Sequence, residues 1–138
     1  MEAIDVYSLE IKKLLEQDKV DAVLVNNKVK ELEQLILNTP WYSRYCDEID
    51  NPIEELMAHK FYNEALLIIM AIKKKEFCNL GMGYYDSKAG ICFFELKDYK
   101  NAELYFYYAI SDDEDLIDEI RPYLDALRNN KDLQLTYF

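Results

Sequence analysis

Apolar residues recur along this chain at three- and four-residue steps, in segments separated by short polar corners, which is the pattern of amphipathic helices. It is clearest between Gly83 and Ser111. Two apolar-periodic runs, Tyr84–Leu96 and Tyr99–Ile110, are parted only by Lys97 and Asp98, so the pattern predicts an αα-hairpin with a tight corner. In the first run Ala89, Ile91, Cys92 and Phe93 are small or apolar, and Gly90 offers a place for another backbone to approach closely. In the second, Ala102, Phe106, Ala109 and Ile110 form a stripe whose small members let a neighbouring helix pack near.

These residues carry a resemblance. The hairpin resembles a tetratricopeptide repeat, whose pattern sets a small residue after a Leu, an aromatic three later, then Ala, an aromatic and Ala. Gly90, Phe93, Ala102, Phe106 and Ala109 fall on that spacing, and Tyr99 stands where the family usually has an aromatic. Asp86, Ala89 and Glu114 replace an early aromatic, the Leu before the Gly and the closing Pro; Asp86 is expected to weaken contact with a preceding repeat.

Elsewhere the same periodicity predicts helices over residues 4–17 (Ile4, Tyr7, Ile11, Leu14, Leu15) and about 21–37 (Val25, Val29, Leu32, Ile36), joined at Asp18-Lys19 and closed by Pro40. Thr39-Pro40 looks like a new helix start, with Trp41, Tyr42 and Tyr45 in a short helix. Trp41 is either a binding anchor or, more simply, part of an aromatic plug on the first hairpin. Asn51-Pro52 repeats that device and opens a helix through Ile53, Leu56 and Met57 to about Lys60. Tyr62–Lys75 follows, with Ala65, Ile69 and Ile72 inward and Lys73, Lys74 and Lys75 at the negative end of the helix dipole.

Tyr62 and Ala65 are spaced as Tyr99 and Ala102 are, which makes this a second, degenerate hairpin offset by 37 residues where the family usually has about 34. The extra residues are assigned to a connection over Glu76–Met82. Beyond Ser111, Asp112-Asp113-Glu114-Asp115 reads as a capped start to a helix through Leu116, Ile117, Ile120, Tyr123 and Leu127, kinked at Pro122. The resemblance implies that this extra helix covers the last hairpin's open face. The tail, Lys131–Phe138, either folds back over apolar surface, the reading favoured here, or is a loose tail with two exposed aromatics.

The chain is therefore expected to be all-α: antiparallel hairpins stacked as a short, right-handed superhelix of six to eight helices. One domain is expected over 1–138, made of N-terminal helices (1–50), two repeat-like hairpins (51–111) and a capping helix with its tail (112–138). With 138 residues, 51% of them hydrophobic, and only three Gly and three Pro, it can bury a core without disulfides or metal.

Charge narrows the partners. The net charge is −11, and it is uneven: residues 1–50 hold eleven acidic and six basic side chains, residues 51–97 six of each, and residues 98–138 ten acidic and four basic. Such a surface repels phosphate backbones and anionic lipid, so a basic protein or peptide is favoured over nucleic acid or membrane. Cys46, Cys78 and Cys92 are odd in number and without close Cys or His spacing, which points to no disulfide framework or zinc site and to a reducing compartment. No signal segment or spanning run is visible, and a cytoplasmic location is expected.

Candidate chemistry is thin. The carboxylates of Asp112–Asp115, Asp118 and Glu119 lack the alternating spacing and the Gly of an EF-hand, and read as a solvated helix start. His59 is the lone histidine, with no nucleophile or acid that the sequence sets beside it, and Gly81-Met82-Gly83 lacks the further Gly and basic residue of a phosphate cradle. No enzyme and no cofactor are indicated.

Stacked hairpins leave a concave face where the resemblance implies that peptides dock. Carried over, its groove positions are Tyr84, Ser87, Lys88, Ile91, Phe94 and Glu95, with Glu54 and Met57 from the weaker hairpin. Tyr105, Tyr107 and Tyr108 cannot all face inward with Phe106 and form a candidate aromatic surface. Two functions fit: an acidic module neutralising a basic partner, resembling bacterial immunity proteins that block a toxin through complementary charge, or a small chaperone or adaptor holding an extended client segment. Phe106→Asp is expected to unfold the hairpin by burying a charge, while Tyr84→Ala leaves helicity and melting nearly unchanged. Circular dichroism and thermal melts of both variants check this, and collapse of Tyr84→Ala would remove it from the groove.

Overall fold

The computed structural model of the chain describes residues 3–40, 45–75 and 82–138. Among them all regular structure is helical: α1 (Ala3–Leu15), α2 (Ala22–Asn38), α3 (Tyr45–Ala58), α4 (Tyr62–Lys75), α5 (Met82–Glu95), α6 (Tyr99–Asp112), a 3-10 turn over Glu114–Leu116, and α7 (Ile117–Asn129). The fold is all-α, built of helical hairpins. The chain divides into two compact units, Met1–Asn79 and Leu80–Phe138.

In the first unit two hairpins lie side by side, α1 along α3 and α2 along α4. Ile4, Ile11 and Leu15 of α1 meet the interior at the steps the sequence predicts, as do Val25, Val29, Leu32 and Ile36 of α2 and Ala65, Ile69 and Ile72 of α4, all buried. Asp21 caps α2 by accepting from the Val23 and Leu24 N–H groups at 3.1 and 3.2 Å. Thr39 does not start a helix. It ends α2, donating its hydroxyl to the Leu35 carbonyl. Of the expected aromatic helix, Trp41 and Tyr42 lie outside the described residues, and Tyr45 is the first residue of α3.

The expected start at Asn51-Pro52 is also corrected: α3 already includes Tyr45, six residues before Asn51, and runs through Pro52. Proline in a helix interior forfeits one hydrogen bond and crowds the preceding turn, at about 3 kcal/mol. Ile49, Ile53 and Leu56, 1%, 0% and 0% exposed, lie on both sides of it on one face, and burying each contributes about 1.5–3 kcal/mol. Apolar burial on both sides outweighs the local break.

The 37-residue offset read from the sequence recurs at the corners: Ala58 and Glu95, which end α3 and α5, and Tyr62 and Tyr99, which begin α4 and α6, are each 37 positions apart. The geometry of the corners matches as well. Lys60 and Lys97 have φ of 66° and 65°, the left-handed conformation that closes a helix. Lys60 N–H donates to Met57 O and Phe61 N–H to Leu56 O, just as Lys97 N–H donates to Phe94 O and Asp98 N–H to Phe93 O. Each corner is a Schellman turn built on a lysine. Of the expected connection over Glu76–Met82, residues 76–81 lie outside the described residues and Met82 opens α5.

In the second unit the hairpin closes on Phe106, which is fully buried. A Cβ at Gly90 would stand 2.5 Å from two atoms of the Phe106 ring, so glycine admits a side chain here, not a backbone. At Gly83 a Cβ would stand 2.9 Å from Asp112 Oδ2 and 3.2 Å from the Ala109 carbonyl. There the start of α5 does approach the backbone of α6, and Asp112 accepts from the Gly83 N–H at 2.9 Å. Asp112 thus ends α6 and serves the positive end of α5; Asp113 caps the 3-10 turn, accepting from the Asp115 N–H. α7 continues through Pro122 as a single helix and buries Ile120, Leu124 and Leu127.

Gly90→Ala is expected to destabilise the protein by about 1–3 kcal/mol through overpacking. Phe106→Ile in that background should recover part of the loss, because the equivalent positions of the first hairpin, Ile53 and Ile69, are both isoleucine and both fully buried. Urea unfolding of the two single variants and the double variant measures the coupling.

Candidate protein-binding surface

Two of the α5 positions assigned to a groove, Phe94 and Lys88, meet α7. Phe94 is half-buried, edge-on to Tyr99 at 5.6 Å and to Tyr123 at 5.2 Å. Lys88 reaches across to Glu119, Nζ to Oε1 at 3.0 Å, with its side chain 13% exposed. Ser87 is fully buried and donates to the Tyr84 carbonyl at 2.7 Å; Ile91 is 8% exposed. Ser87 and Ile91 therefore offer no surface, a correction to the groove assignment, and α7 packs against both α5 and α6. The cause is complementarity: α7 brings Tyr123 to the aromatic pair and Glu119 to the cation, a use of these residues that repeat spacing alone does not encode.

Tyr84 is half-buried, its ring at right angles to Tyr85 at 5.2 Å, with Lys88 Nζ 5.3 Å from its centroid. Glu95 is exposed at the end of α5. In the first unit Glu54 is exposed on α3 and Met57 is half-buried, its carbonyl engaged by the lysine corner.

The remaining predicted residues fall on α6. Tyr105 is half-buried and stacked on Phe93 at 5.3 Å, and Tyr108 lies edge-on to it at 5.7 Å while remaining 44% exposed. Tyr107, 40% exposed, carries the tail: Tyr137 stacks on it at 4.3 Å and 18°, and Phe138 approaches at 6.5 Å. The Arg128 guanidinium lies 6.0 Å from the Phe138 ring. The tail has folded back, as expected, onto tyrosines that sequence reasoning could name but not connect.

Glu103 escaped that reasoning. It is 5% exposed on α6, and its two oxygens accept from the Thr136 N–H at 2.8 and 3.0 Å. The available signal was its place one helical turn before Tyr107, beside the inward stripe of Ala102 and Phe106.

Burial pushes the Cys92 thiol up to about 12, with the Lys88 charge opposing, and burial also raises the Tyr123 hydroxyl. In the first unit Lys28 is raised well above the ordinary lysine range by hydrogen bonds to Glu10 and then Glu31, each at 2.9 Å. Among the described residues, no three His, Cys, Asp or Glu side chains are grouped to hold a metal ion, and no helix is long and apolar enough to cross a membrane.

No family model matches the chain, and neither does any curated protein or any solved structure.

Because the reactive form of Cys is the thiolate, Cys92 should resist iodoacetamide at pH 8 in the folded protein and label fully in 6 M guanidinium. Peptide mapping isolates Cys92 from the other two cysteines. Equal labelling in both conditions would mean that the α5–α6 hairpin is open in solution.

Proposed function

We propose that this protein is a non-enzymatic protein-binding module that captures a basic protein partner and neutralises it, in the manner of an immunity or inhibitor protein acting in the cytoplasm. The observation that carries this is the exposed tyrosine pair Tyr107 and Tyr108 on α6, leading into the acidic turn Asp112–Asp115. Exposed aromatics are favoured anchors at interfaces, and ten acidic against four basic side chains over residues 98–138 steer a cationic partner toward them. The tetratricopeptide-like hairpin, with its matched lysine corners, supports the same class of function.

A chaperone or adaptor role is the second function, favoured by one observation: α6 already holds a non-helical segment, the chain's own tail. A tagged pull-down from the source cells at low and moderate salt separates them. A stoichiometric basic protein lost as salt rises supports the inhibitor; a client retained at that salt supports the chaperone. Against the partner so recovered, Tyr108→Ala should weaken binding about tenfold, roughly 1.4 kcal/mol, with melting unchanged. Unaltered affinity would remove Tyr108 from the interface.

A further inference from the structure

We infer that the outer face of α6 is a seat for a non-helical segment of a partner protein, and that residues 133–138 fill it in cis as a stand-in. The inference rests on the protein-binding function proposed above and names its site.

The seat has a built polar anchor. A carboxylate that is 5% exposed is tolerated only when hydrogen-bonded, and the bonds Glu103 makes are to one backbone N–H, that of Thr136. A backbone N–H is common to every residue but proline, so this anchor reads a backbone without regard to its sequence. Specificity comes from the neighbours. Leu133 and Leu135 are half-buried while Gln134 and Thr136 are exposed, and the chain bends at Thr136 where the anchor holds it. The next residue, Tyr137, stacks on Tyr107. The seat therefore takes a segment that alternates apolar and polar residues and follows the anchored N–H with an aromatic ring.

Little holds the tail there. No helix or strand includes it, Tyr137 is still 45% exposed, and the link to α7 begins directly after Asn129. A tethered ligand of this kind competes through its effective concentration, and it lowers the apparent affinity of any segment arriving in trans by the fraction of seats it leaves open.

The probe is a fluorescein-labelled peptide of residues 131–138, followed by anisotropy. The full-length chain should bind it at least tenfold more weakly than full-length Thr136→Pro, in which the tail has lost the N–H that Glu103 holds. Glu103→Ala added to Thr136→Pro should cut binding at least tenfold again, as should Tyr107→Ala, with circular dichroism confirming that each remains helical. A chain truncated after Asn130 should match Thr136→Pro. Equal binding by the wild-type and Thr136→Pro chains, or none by a folded Thr136→Pro chain, overturns the inference. A wild-type dimer in light scattering that Thr136→Pro dissociates also overturns it, giving the seat to a second copy's tail. A basic partner captured with unchanged affinity by Thr136→Pro leaves the proposed function standing and removes this seat from it.

Discussion

The second unit depends on the absence of one methyl group. With no Cβ at Gly90, the Phe106 ring enters the space between α5 and α6, which a Cβ would occupy at 2.5 Å. The ring then stands 5.8 Å from Tyr123, and Tyr123 in turn meets Phe94 at 5.2 Å, so the packing of α7 is continuous with the closing of the hairpin. Lys88 and Glu119 add a half-buried ion pair along the same seam. That pair orients α7 more than it stabilises the fold, since partly exposed pairs contribute about 0–1 kcal/mol.

The two lysine-cornered hairpins solve one packing problem with different residues. Where α5–α6 sets Gly90 against Phe106, the equivalent positions 37 residues earlier are Ile53 and Ile69, both fully buried. The corners are conserved in geometry despite a conformation that disfavours any side chain but glycine's absent one. Their reward is two backbone hydrogen bonds at each helix end, which would otherwise leave carbonyls unpaired.

Acidic side chains in the second unit work at different depths. Asp112 and Asp113 serve helix starts, Glu119 meets Lys88, and Glu103, the most buried of these four, holds the tail. Only the remainder of the acidic run is left to act at a distance. A charge count therefore overstates what a partner would feel, while a buried carboxylate and two exposed tyrosines understate it.

The sequence by itself determined the helices, because a 3.6-residue period and a polar corner are local properties: α1, α2, α4, α5 and α6 begin and end within about two residues of where the pattern sets them. Local signals failed where a distant residue intervened. Asn51-Pro52 imitates a helix start, yet α3 passes through it because Ile49, Ile53 and Leu56 share a buried face. Ser87, Ile91, Lys88 and Phe94 fit a groove by spacing, yet two are buried and two are engaged by α7. Tyr107 and Tyr108 were legible as surface because one helix cannot turn four consecutive aromatics inward. That Glu103 and Tyr107 jointly hold Thr136 and Tyr137 was decided only by the tertiary structure, since the contact spans about 30 residues and periodicity carries no information across a chain reversal.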